Sequence, residues 1–86
     1  MYDYEIINGA IIIHNTSLET LDLSNTSVAD ISALAACESL KTLGLSWTPV
    51  TDISALAGCL ALEWLDLYNT SVSDTSMLPE TCTIYR

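Results

Sequence analysis

Three consecutive stretches decide the fold: LETLDLSNTSVADISALAACES at 18–39, LKTLGLSWTPVTDISALAGCLA at 40–61 and LEWLDLYNTSVSDTSMLPETCT at 62–83. They follow one another without a gap at a period of 22 residues. The first agrees with the second at 14 positions and with the third at 12. Apolar residues fall into columns: Leu18, Leu40, Leu62; Leu21, Leu43, Leu65; Leu23, Leu45, Leu67; Val28, Val50, Val72; Leu34, Leu56, Leu78. The spacing L-x-x-L-x-L alternates at its end, as a half-buried strand does. The later spacing V-x-x-I/T-x-x-L steps by three, which suits a 3₁₀ turn better than a full helix. One unit alone buries little. Stacked units share a ribbon of leucines, so stability is a sum of neighbour interfaces.

The pattern L-x-x-L-x-L-x-x-T-x-V-x-D-I-S-x-L resembles a leucine-rich repeat. Its 22-residue length and D-I-S-x-L return resemble the internalin-type class, over residues 18–84. The resemblance implies an α/β solenoid with little helix, a parallel β-sheet on the concave face and short 3₁₀ turns on the convex face. It also implies a place at a cell surface or outside the cell, and binding to other proteins. One departure concerns the ninth position, where the family usually has Asn and this chain has Thr26, Thr48 and Thr70. A threonine hydroxyl both donates and accepts, so a ladder of threonines satisfying the turn amides is expected.

The ends break the repeat. Residues 1–17 contain YEII and AIII around Asn8-Gly9, a dipeptide that tolerates the positive φ values of a type I′ turn. A hairpin cap over the first leucine columns is expected, with a degenerate repeat as the alternative. In the third unit Thr75, Pro79 and Thr81 replace the apolar or small residues of the earlier units. Ile84 stands 22 residues after Leu62 and is read as the start of a further repeat, 84–86. An end left open there exposes apolar surface and invites a partner or another copy. Head-to-tail stacking of copies through Ile12, Ile84 and Leu78 would not close, and would build a filament.

Composition narrows the function classes. Eleven acids face two strong bases, Lys41 and Arg86, for a net charge of -9, and half the residues are apolar. Such a chain has no electrostatic footprint for nucleic acid or anionic lipid. It is too apolar to be disordered. Its longest aliphatic run, Ala10 to Ile13, is far short of the roughly 20 residues a spanning helix needs, so membrane insertion is not expected. MYDYEII lacks the basic start and apolar stretch of a signal peptide.

Candidate chemistry is sparse. Cys37 and Cys59 lie one period apart on an inward column, about 5 Å from each other if stacked, so a disulfide is within reach. Small buried thiols acting as hydrophobes are the alternative. Cys82 falls one residue outside that column, nearer solvent. Without C-x-x-C spacing no zinc site is expected. Asp30, Asp52 and Asp74 form a column of turn caps or, alternatively, a file of carboxylates for Ca²⁺. His14 has no evident nucleophile beside it, so neither enzyme chemistry nor a cofactor is expected.

The outward strand positions carry more information. In register they read Thr20/Thr42/Trp64, Asp22/Gly44/Asp66, Ser24/Ser46/Tyr68 and Asn25/Trp47/Asn69. Trp47, Trp64 and Tyr68, with Thr42, Asp22 and Asp66, therefore form a candidate site for a protein partner, with a dip at Gly44 for an entering group. The alternative is plain cover of the sheet or a contact between copies. The acids around the rings favour a basic or mixed partner surface. Three NTS sequons begin at Asn15, Asn25 and Asn69. Sugar on Asn25 and Asn69 would share one rim and compete with binding at Trp47. The expectation is a non-enzymatic recognition module, with a self-assembling structural subunit as the rival.

Overall fold

The computed structural model describes residues 2–86. Met1, the first residue of the 1–17 segment, lies outside the described residues. Six strands follow in order: β1 Tyr4–Ile7, β2 Ala10–Ile13, β3 Thr20–Asp22, β4 Thr42–Gly44, β5 Trp64–Asp66 and β6 Thr83–Tyr85. Two 3₁₀ turns, Ser32–Ala36 and Ser54–Gly58, lie on the returns after β3 and β4. No α-helix is present among the described residues, so the helical part of the expected α/β class reduces to these turns.

Strands β3 to β6 form one parallel sheet in that order. Leu21 pairs with Leu43 and Leu43 with Leu65, so one period in sequence is one strand in space. The same backbone step recurs: the carbonyls of Glu19 and Lys41 accept the amides of Thr42 and Trp64 at 3.0 and 3.1 Å, and the Glu63 carbonyl accepts that of Thr83 at 2.8 Å. Between sheet and returns lies a dry interior of Leu23, Val28, Leu34, Leu40, Leu43, Leu45, Val50, Leu56 and Leu65, all fully buried. Cys37 and Cys59 belong to it as free thiols, and the Cys59 thiol lies 3.3 Å from the Leu34 carbonyl oxygen of the preceding unit.

Of the turn amides that the ninth-position threonines were expected to satisfy, one is met: the Thr26 hydroxyl accepts the Val28 amide at 3.4 Å. Each hydroxyl donates to the carbonyl three residues earlier in its own unit: Thr26 to Leu23 at 2.6 Å, Thr48 to Leu45 at 2.7 Å and Thr70 to Leu67 at 2.8 Å. The bond turns the chain out of the strand locally. It lies within each unit and does not run from unit to unit.

β1 and β2 form a separate antiparallel hairpin around Asn8 (φ 52°) and Gly9 (φ 79°). It docks on the first return and not on β3. The Gly9 carbonyl accepts the Ala29 and Asp30 amides, and the Ile11 amide donates to Asp30 at 3.0 Å. Ile11 enters the core, with Ile6 and Ile13 packed partly against it, while Leu18 stays half-buried. Among the described residues no strand pairs with the outer edge of β3.

The far end departs from the expected register. Ile84 pairs with Leu65, only 19 residues earlier, so it continues the Leu21/Leu43/Leu65 column and not that of Leu62. The third return is three residues shorter and carries no 3₁₀ helix. Pro79 stands where Ala35 and Ala57 stand and has no N–H to give such a helix. Two looser turns replace it, Leu78 N–H to Thr75 and Cys82 N–H to Pro79. Thr75 replaces the buried Ile31 and Ile53, and Leu78 is left half-buried.

Burying a leucine fully contributes about 1.5–3 kcal/mol, and truncating one also leaves a cavity. Leu45→Ala is expected to cost about 2–5 kcal/mol, a large share of the roughly 4–13 kcal/mol available to an 86-residue chain. Leu78→Ala should cost less than half as much. Urea unfolding followed by circular dichroism checks this; equal losses would contradict the burial gradient.

Candidate functional site

The outward face of the sheet is built by strand alternation. In β3 and β5 the middle leucine points in and its neighbours point away, so Thr20, Thr42, Trp64 and Thr83 form one row and Asp22, Gly44, Asp66 and Tyr85 the next. Trp64 is exposed at the centre of the first row, and Thr42 is partly covered. Beyond the strand ends, Trp47 and Tyr68 meet edge to face, with centroids 6.0 Å apart and planes at 73°. Tyr85 continues the series, 6.3 Å from Tyr68. Three aromatic rings therefore form a row across the last three strands. Trp47, Tyr68 and Tyr85 remain 57%, 46% and 55% exposed.

Tyr85 was not among the expected site residues, because the 22-residue period aligns it with Glu63, three positions before the Asp66 it pairs with. The signal that finds it is T-I-Y at 83–85 read as a strand equivalent to W-L-D at 64–66. Leu60, 79% exposed, was also missed; it stands where the first unit has Glu38.

The dip expected at Gly44 is filled. Gly44 is buried, and a Cβ there would lie 2.6 Å from Asp22 Oδ1. The Asp22 carboxylate leans across the glycine and accepts the Ser24 amide at 3.0 Å. Asp66 does the same for the Tyr68 amide at 2.9 Å. Both acids thus fix the turn that follows their strand, and Asp66 sets the backbone of a ring residue. The Ser24 hydrogen bonds hold the Asp22 carboxyl below its usual range.

Trp47 has a feature its neighbours explain. Its φ is 58°, in the left-handed region, as are Asn25 at 63° and Asn69 at 56° in the same column. Asn visits this region readily, whereas a bulky residue there costs roughly 1–2 kcal/mol. The turn demands the conformation in every unit; only the second unit meets it with an indole.

The remaining candidates are dispersed. Ile12 is exposed on the hairpin, while Ile84 and Leu78 are half-buried at the opposite end. Asn15, Asn25 and Asn69 are all exposed, although Asn15 is tied to Asp3 at 3.2 Å and to the Ser17 amide at 2.9 Å. His14 pairs with Glu5 at 2.6 Å across the hairpin. Burial pushes the Cys37, Cys59 and Cys82 thiols up, which lowers their nucleophilic fraction.

Asp30, Asp52 and Asp74 each accept the amide two residues on, from Ser32, Ser54 and Ser76 at 2.8–2.9 Å. They are turn caps. The backbone bond from the following serine leads in holding Asp30 and Asp52 below the ordinary carboxylate value, whereas the Ser76 side chain leads for Asp74. Among the described residues no group of three or more His, Cys, Asp or Glu is placed to hold a metal ion.

A short parallel sheet of leucine-lined turns with an aromatic, acidic outer face defines a repeat-type scaffold. Residues 16–58, half the chain, match the family described as Leucine Rich repeats (2 copies), and the protein belongs to that family. Such domains generally mediate protein–protein interaction. Comparison with curated proteins gives no match. No helix among the described residues is long and apolar enough to cross a membrane.

Two outcomes follow. The capping aspartates have folded pKa values below their ordinary 3.8. They contribute fully above that value, and the contribution is lost as pH falls through the folded pKa. Stability should therefore drop below pH 3.8, and the triple variant D30N/D52N/D74N, which keeps an accepting oxygen, should flatten the drop in a pH series of thermal melts. The second outcome concerns Trp47. Trp47→Asn relieves about 1 kcal/mol of backbone cost but forfeits a ring pair worth about 0.5–1.5 kcal/mol. It should be near neutral in the parent and stabilising in a Tyr68→Ser background, a double-mutant cycle read by denaturant unfolding.

Proposed function

We propose that this chain is a non-enzymatic leucine-rich repeat module that recognises a protein partner on the concave face of its short solenoid. Trp47, Tyr68 and Tyr85 form the contact row, with Trp64 beside them. The observation that carries the reading is the indole of Trp47 in a left-handed turn position that the other units fill with Asn. An outlier kept at a cost to the backbone and left exposed at the surface favours a role for the side chain outside the fold. Tyr and Trp suit this role, since they bury much area with few torsions to freeze. The Asp22 and Asp66 carboxylates favour a basic partner surface. In this reading His14, bonded to Glu5, and the suppressed thiols have no catalytic part. Presentation at a cell surface, and sugar on Asn25 or Asn69, would follow if the chain enters a secretory pathway.

A second reading has its own observation. β3 and β6 each have one partner strand, and Leu78, Cys82 and Ile84 are only partly covered at one end. Stacking of copies through these edges would continue the sheet. The net charge of -9 on every copy opposes it except at high salt.

One set of variants separates the readings. Trp47→Asn and Tyr68→Ser restore residues found in the same columns of other units, and Ala57→Gln alters the opposite side. The first two should abolish capture of the physiological partner without changing the mass seen by light scattering, and Ala57→Gln should leave capture intact. Loss of capture only in Ala57→Gln overturns the concave-face reading. A concentration-dependent rise in mass that Ile84→Glu abolishes would favour the stacking subunit.

A further inference from the structure

The aromatic row has a spacing, and the spacing selects a ligand. Its rings stand 6.0 Å and 6.3 Å apart, Trp47 and Tyr68 just past the ends of β4 and β5 and Tyr85 on β6. An extended peptide rises about 3.3–3.4 Å per residue, so side chains two apart on one face repeat at about 6.6–6.8 Å. Such a peptide, laid across the strands, sets alternate side chains over successive rings. The charge at the row indicates which side chains these are. Asp66 lies opposite Tyr85 and bonds the Tyr68 amide, and Asp22 lies in the same row of the sheet two strands away. Neither acid has a basic partner among the described residues, where the ion pairs are His14–Glu5 and Lys41–Glu19. Arginine suits both features: its planar guanidinium stacks on aromatic faces and carries a charge the carboxylates attract.

We propose that the row Trp47–Tyr68–Tyr85 binds an extended partner segment bearing arginine at alternate positions, one guanidinium to each ring. The proposal rests on the concave-face reading and adds the chemistry and register of the segment. The side chains between the arginines point away from the sheet and are free to vary. Contiguous arginines offer only every second residue to the rings, so a short block of equal charge serves fewer rings than an alternating run.

Two synthetic peptides of identical composition test this. In one, arginine and serine alternate; in the other, the arginines form one block. Binding to the intact protein is followed by calorimetry and tryptophan emission at physiological ionic strength, where charge attraction is screened beyond about 8 Å. The alternating peptide should bind about fivefold tighter or more, and Trp47→Asn and Tyr68→Ser should each weaken it about two- to fivefold. Both variants should weaken the block peptide less than the alternating one, because the block engages fewer rings. Equal affinity for the two peptides, no measurable binding of either, or indifference to both ring variants would overturn the proposal. If the ring variants abolish capture of the physiological partner while the peptides show no preference, the register fails and the concave-face reading stands. If capture is also indifferent to the ring variants, that reading fails as well.

Discussion

Everything in this structure depends on one leucine lying against its counterpart in the next unit. Leu43 is fully buried and sits between Leu21 and Leu65 in consecutive strands. A single turn of this chain is too small to exclude water from its own side chains. Dryness arises only between turns. That is why the middle unit is the most completely buried and why both outer units retain half-exposed members, Leu18 at one end and Leu78 at the other. The sheet and the 3₁₀ turns are the two walls of that dry slot, and the hairpin completes one side of it with Ile11.

The polar residues of the repeat serve the backbone before they serve a ligand. Buried or half-buried turns must satisfy their amides and carbonyls. Threonine hydroxyls take the carbonyls at the strand exits, and aspartates take the amides of the following turns, at the strand end and at the start of the return. With those obligations met locally, the outward positions of the sheet are free to vary. Variation is concentrated where rings replace small residues: Trp64 for threonine, Tyr68 for serine and Trp47 for asparagine.

Much of this was legible in the residues. The 22-residue period fixed the pairing of Leu21, Leu43 and Leu65, and the alternation around them placed Trp64 and Asp66 outside. Asn8-Gly9 announced the hairpin turn. What escaped the sequence has physical causes. The third return has three fewer residues than the others, and a fixed period cannot anticipate a deletion that leaves the strand signal intact; Tyr85 was misplaced with it. The fate of Gly44 depends on a neighbour's side chain, since Asp22 covers it from the adjacent strand. The left-handed turn was hinted at by Asn25 and Asn69, but Trp47 in the same column concealed it. The hairpin's attachment to Asp30, away from the sheet edge, is a matter of tertiary geometry that no local pattern encodes.

The uniform step from Glu19 to Lys41 to Glu63 has a consequence for how such a chain can grow. Each junction presents the next with the same arrangement of backbone donors and acceptors, so duplicating residues 40–61 in tandem creates no new kind of backbone joint. The copied unit would bring its own indole at the turn after the strand, lengthening the outer strip by one rung and leaving the interior chemistry unaltered. The sheet can thus be lengthened in whole increments of gene length while every backbone joint keeps its form.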